Sequence, residues 1–102
     1  MLQLKPNCEC CDKDLPPDST EAMMCSYECT FCRECVEDVL QNVCPNCGGG
    51  FVPRPIRPSH EHRPGVSLNQ HKPSTERVHT SYSREELAAF AEGIKDIPPS
   101  ER

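Results

Sequence analysis

Cys25-Ser-Tyr-Glu-Cys29-Thr-Phe-Cys32-Arg-Glu-Cys35 is followed after eight residues by Cys44-Pro-Asn-Cys47, and an earlier Cys8-Glu-Cys-Cys11 completes the set. These segments contain all nine cysteines of a chain of 102 residues. Cysteine pairs with two residues between them are typical of knuckles, tight turns in which two thiolates bind one metal ion. The spacing therefore predicts structural metal sites in the N-terminal half of the chain.

The composition of the chain changes near Phe51. All nine cysteines lie before this residue, whereas all four histidines and seven of the eleven prolines lie after it. The N-terminal half has too few large apolar side chains to fold without cross-links. No apolar run precedes the first charge at Lys5, so we expect a cytoplasmic protein without a signal peptide. In that reducing compartment, cysteine pairs of this kind bind zinc instead of forming disulfides.

The charge of the chain divides at the same place. Up to Phe51 there are three basic and nine acidic residues, and the remainder has eight basic and seven acidic residues, which gives a net charge of −5. Two four-thiolate zinc sites would each add a charge of about −2 to the N-terminal half. Such a surface would repel phosphate, so we expect no nucleic acid as a partner. No segment is long enough to span a membrane, and we expect no membrane partner.

Local patterns predict short secondary structure around the cysteines. Residues 22–25 and 28–31 are expected to pair as brief strands, and a helix is predicted from apolar residues at i, i+3, i+4 and i+7, namely Val36, Val39, Leu40 and Val43. This helix would separate Cys35 and Cys44 by about 13 Å, whereas sulfurs on one tetrahedral zinc lie within about 4 Å of each other. The last two knuckles must then bind different ions, which leaves two ways to share out the earlier pairs.

The C-terminal half is predicted to have three parts. Residues 53–80 are expected to form a flexible linker that contains proline, arginine and histidine. Within residues 81–97, Ser83 and Glu86 form a capping-box pattern that opens a short amphipathic helix, with an apolar stripe of Leu87, Phe90, Ala91 and Ile94. Residues 98–102 are expected to be disordered. The stripe fits two alternatives, packing on the N-terminal module or binding in a groove of another protein.

The cysteine spacing over residues 8–47 resembles the RING finger, a cross-braced fold with two zincs, and we expect the zinc-binding domain to span residues 1–52. In that fold the first and third ligand pairs share one ion, and the second and fourth pairs share the other. The resemblance implies a small zinc-stabilised α+β domain with short strands and one helix. It also implies two ligand sets, which are site one (Cys8, Cys11, Cys32 and Cys35) and site two (Cys25, Cys29, Cys44 and Cys47).

A longer run resembles a family of small bacterial proteins known only as a domain of unknown function, number twelve seventy-two. The run begins Leu4-Lys-Pro-Asn-Cys-Glu-Cys-Cys-Asp-Lys-Asp-Leu-Pro-Pro-Asp18, passes through Cys25-Ser-Tyr-Glu-Cys-Thr-Phe-Cys32, and ends Cys44-Pro-Asn-Cys-Gly-Gly49. The resemblance implies a bacterial cytoplasmic protein that binds zinc, and it implies no reaction. It does not cover the tail after about Pro58.

Three functional hypotheses follow. A four-thiolate zinc site has no open position for a water nucleophile, so the first hypothesis is a non-enzymatic structural module that mediates interaction with a protein partner. The second is a thiol-based redox or metal sensor that uses Cys10, the one cysteine outside the two sites. The third is a ubiquitin-ligase-like enzyme, although Cys10 and Gly48 stand where such RING proteins commonly have an apolar and a basic residue.

Overall fold

A three-stranded antiparallel sheet lies at the centre of the computed structural model, which describes all 102 residues. The strands are β1 (Ala22–Met24), β2 (Thr30–Cys32) and β3 (Val52–Pro53), in the order β2-β1-β3. Met23 in the central strand pairs with Phe31 on one side and with Pro53 on the other. The two brief strands predicted around Cys25 are confirmed, and the second begins two residues later than expected.

The turn between β1 and β2 carries the second cysteine pair. The backbone N–H of Cys25 donates to the carbonyl of Cys29 at 3.1 Å, and the N–H of Glu28 donates to the carbonyl of Cys25 at 3.0 Å. Glu28 has a φ of 67°, in the left-handed region, which reverses the chain within a few residues. Both cysteines are consequently buried at one end of the sheet.

Helix α1 (Arg33–Asp38) is shorter than the sequence predicts, and the predicted continuation to Val43 is wrong. Gln41 and Asn42 have φ values of 48° and 60°, which lie in the left-handed region and cannot continue a right-handed helix. The chain turns here so that the last knuckle returns towards the hairpin turn. The four apolar residues that suggested the helix are all buried, because a compact turn places them on one side as a helix would.

The core combines apolar side chains with thiols. Phe31 and Phe51 meet edge to face with their ring centroids 5.4 Å apart, an arrangement that aromatic pairs favour. Of the fifteen residues in the buried cluster, six are cysteines. Such a small apolar core agrees with the expectation that metal ions supply part of the stability.

Beyond β3 the chain runs without helix or strand to the start of the second helix, and arginine side chains tie parts of it to the module. Arg54 is only 4% exposed. Its guanidinium donates to the carbonyl oxygens of Lys5, Leu15 and Pro16 at 2.8, 3.3 and 2.9 Å. The flexible linker predicted over residues 53–80, like the rest of the domain division, stays a prediction.

The second helix, α2 (Arg84–Glu92), begins with the predicted capping box. The Glu86 N–H donates to the Ser83 hydroxyl oxygen at 3.1 Å, and the Ser83 N–H donates to the Glu86 carboxylate at 3.0 Å. Leu87 is buried within the core cluster of the module and Ala91 is also buried, so this part of the apolar stripe packs on the module, whereas Phe90 is 43% exposed. A 3₁₀ turn (Pro99–Glu101) ends the chain. Neither α-helix has the length and apolar character needed to cross a membrane.

Candidate metal centres

Site one is assembled from the first knuckle, the end of β2 and helix α1. The sulfurs of its four cysteines all lie within 4.8 Å of one another, and those of Cys11 and Cys32 are 3.8 Å apart. Zinc with Zn–S bonds of about 2.3 Å in tetrahedral geometry holds its sulfurs about 3.8 Å apart. The observed cluster therefore fits a four-thiolate zinc site.

Hydrogen bonds hold the backbone of the first knuckle in a tight turn. The Cys8 N–H donates to the carbonyl of Lys13 at 2.8 Å, and the Asp12 N–H donates to the carbonyl of Cys8 at 2.9 Å. The Cys11 N–H donates to the Cys8 sulfur at 3.5 Å. Asp12 has a φ of 64°, in the left-handed region where aspartate is tolerated better than most residues. Hydrogen bonds from N–H groups to sulfur favour the thiolate that a metal needs.

Site two is assembled from the hairpin turn and the last knuckle. The sulfurs of Cys25, Cys44 and Cys47 lie within 4.8 Å of one another. Cys29, the fourth predicted ligand, lies beside this trio, where its sulfur contacts the Cys25 thiol and accepts a hydrogen bond from the Asn46 side chain at 3.4 Å. The two clusters fit a two-metal cross-brace, and the role of Cys29 as the fourth ligand stays a prediction.

Burial sets the protonation of these thiols. It raises the pKa of Cys32 to about 11 and also raises the pKa values of Cys35 and Cys44. Several thiolates cannot share such a site without a cation, because each disfavours ionisation of the next. A divalent metal removes this conflict, and an all-sulfur donor set suits zinc among the common divalent ions. The residues present therefore fit the metal that their spacing predicts.

The comparison with known proteins places the chain in a family. A family model described as a protein of unknown function (DUF1272) matches residues 1–57. The chain belongs to the DUF1272 family. The matched region contains both cysteine clusters as well as Arg54, so the resemblance inferred from the sequence is confirmed.

A relative of this DUF1272 protein extends the similarity into the tail. An uncharacterized protein of Rhizobium meliloti (strain 1021) is 55% identical over 78 residues, which make up 76% of this chain and 86% of the relative. Because the family model ends at residue 57, at least 21 of the 78 aligned residues lie beyond it. No solved structure matches the chain significantly.

Three residues of the DUF1272 region that support the clusters were missed by sequence reasoning. Asn7 is fully buried beside the first knuckle, and Glu9 is only 3% exposed. The Glu9 carboxylate accepts a hydrogen bond from the Thr30 N–H at 2.6 Å and pairs with Lys5 at 3.2 Å. Arg54 lies in the segment that the sequence predicts to be a flexible linker. The sequence offers one signal for Asn7 and Glu9, because each is a polar residue next to Cys8 in the first knuckle. The composition around Arg54 offers no signal that this residue is buried.

Cys10 lies next to site one without belonging to it. Its thiol is half-buried, packs against the core cluster and lies near the Cys35 thiol. Burial raises the pKa of Cys10 above its ordinary value. The position suits a small packing residue, and it also leaves Cys10 close enough to a ligand of site one for thiol chemistry.

Proposed function

We propose that this protein is a non-enzymatic structural zinc module of the bacterial cytoplasm that presents a surface for binding another protein. Two observations support the structural part. Site one has the donor set and spacing of a closed zinc site, and site two would be closed in the same way with Cys29 as its fourth ligand, so neither would leave a coordination position for a substrate or a reactive water. The core around them is small and depends on these thiols.

One observation supports the proposed interaction with another protein. An exposed apolar surface lies where α2 meets the last knuckle. Two grooves, of about 450 and 320 Å³, adjoin at Phe90. Tyr82, Phe90 and Ile97 are 47%, 43% and 40% exposed. We call these three exposed residues, together with the buried Pro45 that lines the first groove, the Phe90 surface. Clustered apolar side chains exposed to water are typical of protein-interaction sites, and aromatic residues are enriched there.

The charge around the Phe90 surface indicates the chemistry of the partner. Glu86 lines the first groove and Arg102 lines the second, and the chain as a whole has a net charge of −5 before any thiolate is counted. A partner would therefore offer an apolar anchor with a basic group facing Glu86 and an acidic group facing Arg102. The same charge supports the expectation that neither nucleic acid nor a membrane is the partner.

The zinc content and the interaction can be tested separately. We expect two zinc ions per purified chain by metal analysis and native mass spectrometry. For the interaction, the wild type, Phe90→Glu and Val66→Glu would be used as bait in bacterial lysate with quantitative mass spectrometry. Val66 is 51% exposed and lies outside the Phe90 surface, which makes it a matched control. A partner retained by wild type and Val66→Glu but lost with Phe90→Glu supports the proposal, and identical captures by all three contradict it.

A second candidate function is a thiol sensor, favoured by the contact between Cys10 and Cys35. One hydrogen peroxide would take two electrons and two protons from these thiols, giving two waters and a disulfide, and site one would lose a ligand. The raised pKa of Cys10 reduces its thiolate fraction and so slows this reaction, which makes the sensor the second choice. Zinc release by mild peroxide from wild type but not from Cys10→Ser would support it.

A further inference from the structure

We propose that docking of the tail on the first knuckle and metal binding at site one stabilise each other. The part of the tail concerned is residues 74–80, which we call the docking segment. It runs alongside residues 4–9 of the module and is held through its backbone groups and through the Arg77 side chain. The coupling itself does not depend on the proposed interaction with a partner protein.

The docking segment is held by two backbone hydrogen bonds to the module and by the Asn7 side chain between them. The Ser74 N–H donates to the carbonyl of Leu4 at 3.0 Å, and the Thr80 N–H donates to the carbonyl of Glu9 at 2.7 Å. Between them, the Asn7 side chain holds both backbone groups of Val78, donating to its carbonyl at 2.8 Å and accepting from its N–H at 3.4 Å. Main-chain hydrogen bonds of this kind are how many domains bind extended peptides.

The module groups that hold the docking segment also shape site one. Asn7 precedes the ligand Cys8, and its amide nitrogen donates to the Cys8 carbonyl at 3.2 Å and to the Asp12 carboxylate at 2.9 Å. Arg77 of the docking segment binds the same Asp12 carboxylate at 3.0 Å. A fully buried amide thus connects the tail, a ligand of site one and the turn that follows Cys11.

This arrangement couples two equilibria. Zinc at site one would fix the first knuckle to Cys32 and Cys35, so that the acceptors on residues 4–9 stay in the positions that the docking segment needs. A docked segment would in turn hold Cys8 and Cys11 close to the geometry that zinc requires. Because coupling free energies are reciprocal, whatever the docked tail adds to zinc affinity, zinc adds to tail docking.

One consequence concerns the Phe90 surface and rests on the proposed function. Its first groove is lined by Pro45 from the module together with Tyr82 and Phe90 from the tail. The groove exists only while α2 is packed on the module, and the docking segment leads directly into α2. Loading of site one would therefore control whether the surface is presented to a partner.

The first test removes a hydrogen bond between the tail and the module in the full-length protein. Thr80→Pro removes the N–H that binds Glu9, whereas His79→Pro places the same ring one residue earlier, where the N–H has no partner. Thr80→Ala is a second control, because Thr80→Pro also removes the hydroxyl that accepts from the Tyr82 N–H at 3.3 Å. Affinities would be measured by chelator competition, with site one and site two followed separately through the ¹⁵N–¹H signals of Cys11 and Gly49. We expect Thr80→Pro to weaken zinc binding at site one roughly 3–10-fold, and site two and His79→Pro to stay within about twofold of wild type. Unchanged affinity at site one in a folded Thr80→Pro protein overturns the proposal.

The reciprocal test keeps the tail unchanged. Hydrogen exchange of the Thr80 and Val78 amides would be compared in wild type, Cys11→Ser and Cys47→Ser, which lack one exposed ligand at site one and site two respectively. Protection of both amides should fall at least about tenfold in Cys11→Ser and persist in Cys47→Ser. Exchange at the free-peptide rate in loaded wild type, or equal loss of protection in both variants, overturns the coupling. Neither measurement involves a partner protein, so failure of the interaction at the Phe90 surface would leave this result standing.

Discussion

Cys11 and Cys32 are 21 residues apart in the sequence, and their sulfurs lie 3.8 Å apart. One belongs to the first knuckle and the other ends β2, with the hairpin that carries Cys25 and Cys29 between them. A metal that binds both therefore closes a loop that contains Cys25 and Cys29, whereas Cys44 and Cys47 of site two lie outside this loop. The ligand pairs of the two sites thus alternate along the chain, which is the definition of a cross-brace. Both sites therefore require the same folded arrangement of the chain.

The first prediction is that removing an exposed ligand costs one metal ion. Cys11→Ser leaves site one with three thiolates, which reduces its zinc affinity because a hydroxyl is a poor zinc ligand. Native mass spectrometry in the presence of a competing chelator should show one zinc per chain where the wild type shows two.

Cys10→Ser is the matched control for this change, because it removes a neighbouring thiol that lies outside the cluster of four sulfurs. It should retain two zinc ions under the same conditions. Two zinc ions in Cys11→Ser together with one in Cys10→Ser would show that Cys10 is the ligand and that the assignment of the first knuckle is wrong.

The second prediction concerns protons. Burial raises the pKa of Cys32 to about 11 and raises that of Cys35 as well, so both thiols hold their protons at pH 7 in the absence of metal. Zinc must displace these protons, which means that affinity falls as the pH falls, by about tenfold per pH unit for each proton displaced. Calorimetry in buffers of different ionisation enthalpy should show more than one proton released per zinc bound. Heats that do not depend on the buffer would contradict this.

The third prediction is that Arg54 stabilises the module although it lies outside the cysteine cluster. Arg54→Ala would leave three carbonyl oxygens without their donor, and we expect a loss of about 2–4 kcal/mol in the free energy of unfolding. Denaturant titration at a fixed excess of zinc measures this. Arg63 is exposed and its side chain donates no hydrogen bond, so Arg63→Ala is the control and should change stability by less than about 0.5 kcal/mol. Equal losses of stability in both variants would contradict a specific stabilising role for Arg54.

The ligands could be predicted because knuckle spacing is a strong constraint, whereas their cross-braced pairing was implied by the resemblance to the RING finger. Knuckle pairs identify the ligands, and the separation of Cys35 from Cys44 assigns them to different clusters. That assignment survives although its premise was partly wrong, since α1 ends at Asp38. The chain instead turns at Gln41 and Asn42, and it still places Cys35 and Cys44 in different clusters.

The contacts of the tail could not be predicted in the same way. Arg54 lies among prolines in a segment whose composition favours an extended, solvated chain, and its partners are backbone carbonyls, which leave no mark on the sequence. Asn7 is similar, because the backbone groups that it holds belong to a residue 71 positions away. Contacts between a side chain and a distant backbone carry no periodicity or spacing that a sequence pattern could reveal.

The fourth prediction separates the two roles of α2. Leu87 is 2% exposed and lies in the core cluster, so Leu87→Ala should destabilise the zinc-loaded protein by about 2–5 kcal/mol through lost packing and a cavity. Phe90→Ala, three residues along the same helix, should cost less than about 1 kcal/mol because its side chain is 43% exposed.

The same two variants should rank in the opposite order when the affinity for a partner is measured. Once a partner is identified by the Phe90→Glu comparison, Phe90→Ala should weaken its binding at least about tenfold, since buried aromatic anchors dominate interface energies. If Leu87→Ala leaves stability unchanged, α2 is not docked as described, and the groove that requires Pro45 beside Phe90 does not form. If both variants lose stability equally, Phe90 is a core residue, and its exposure does not mark an interaction surface.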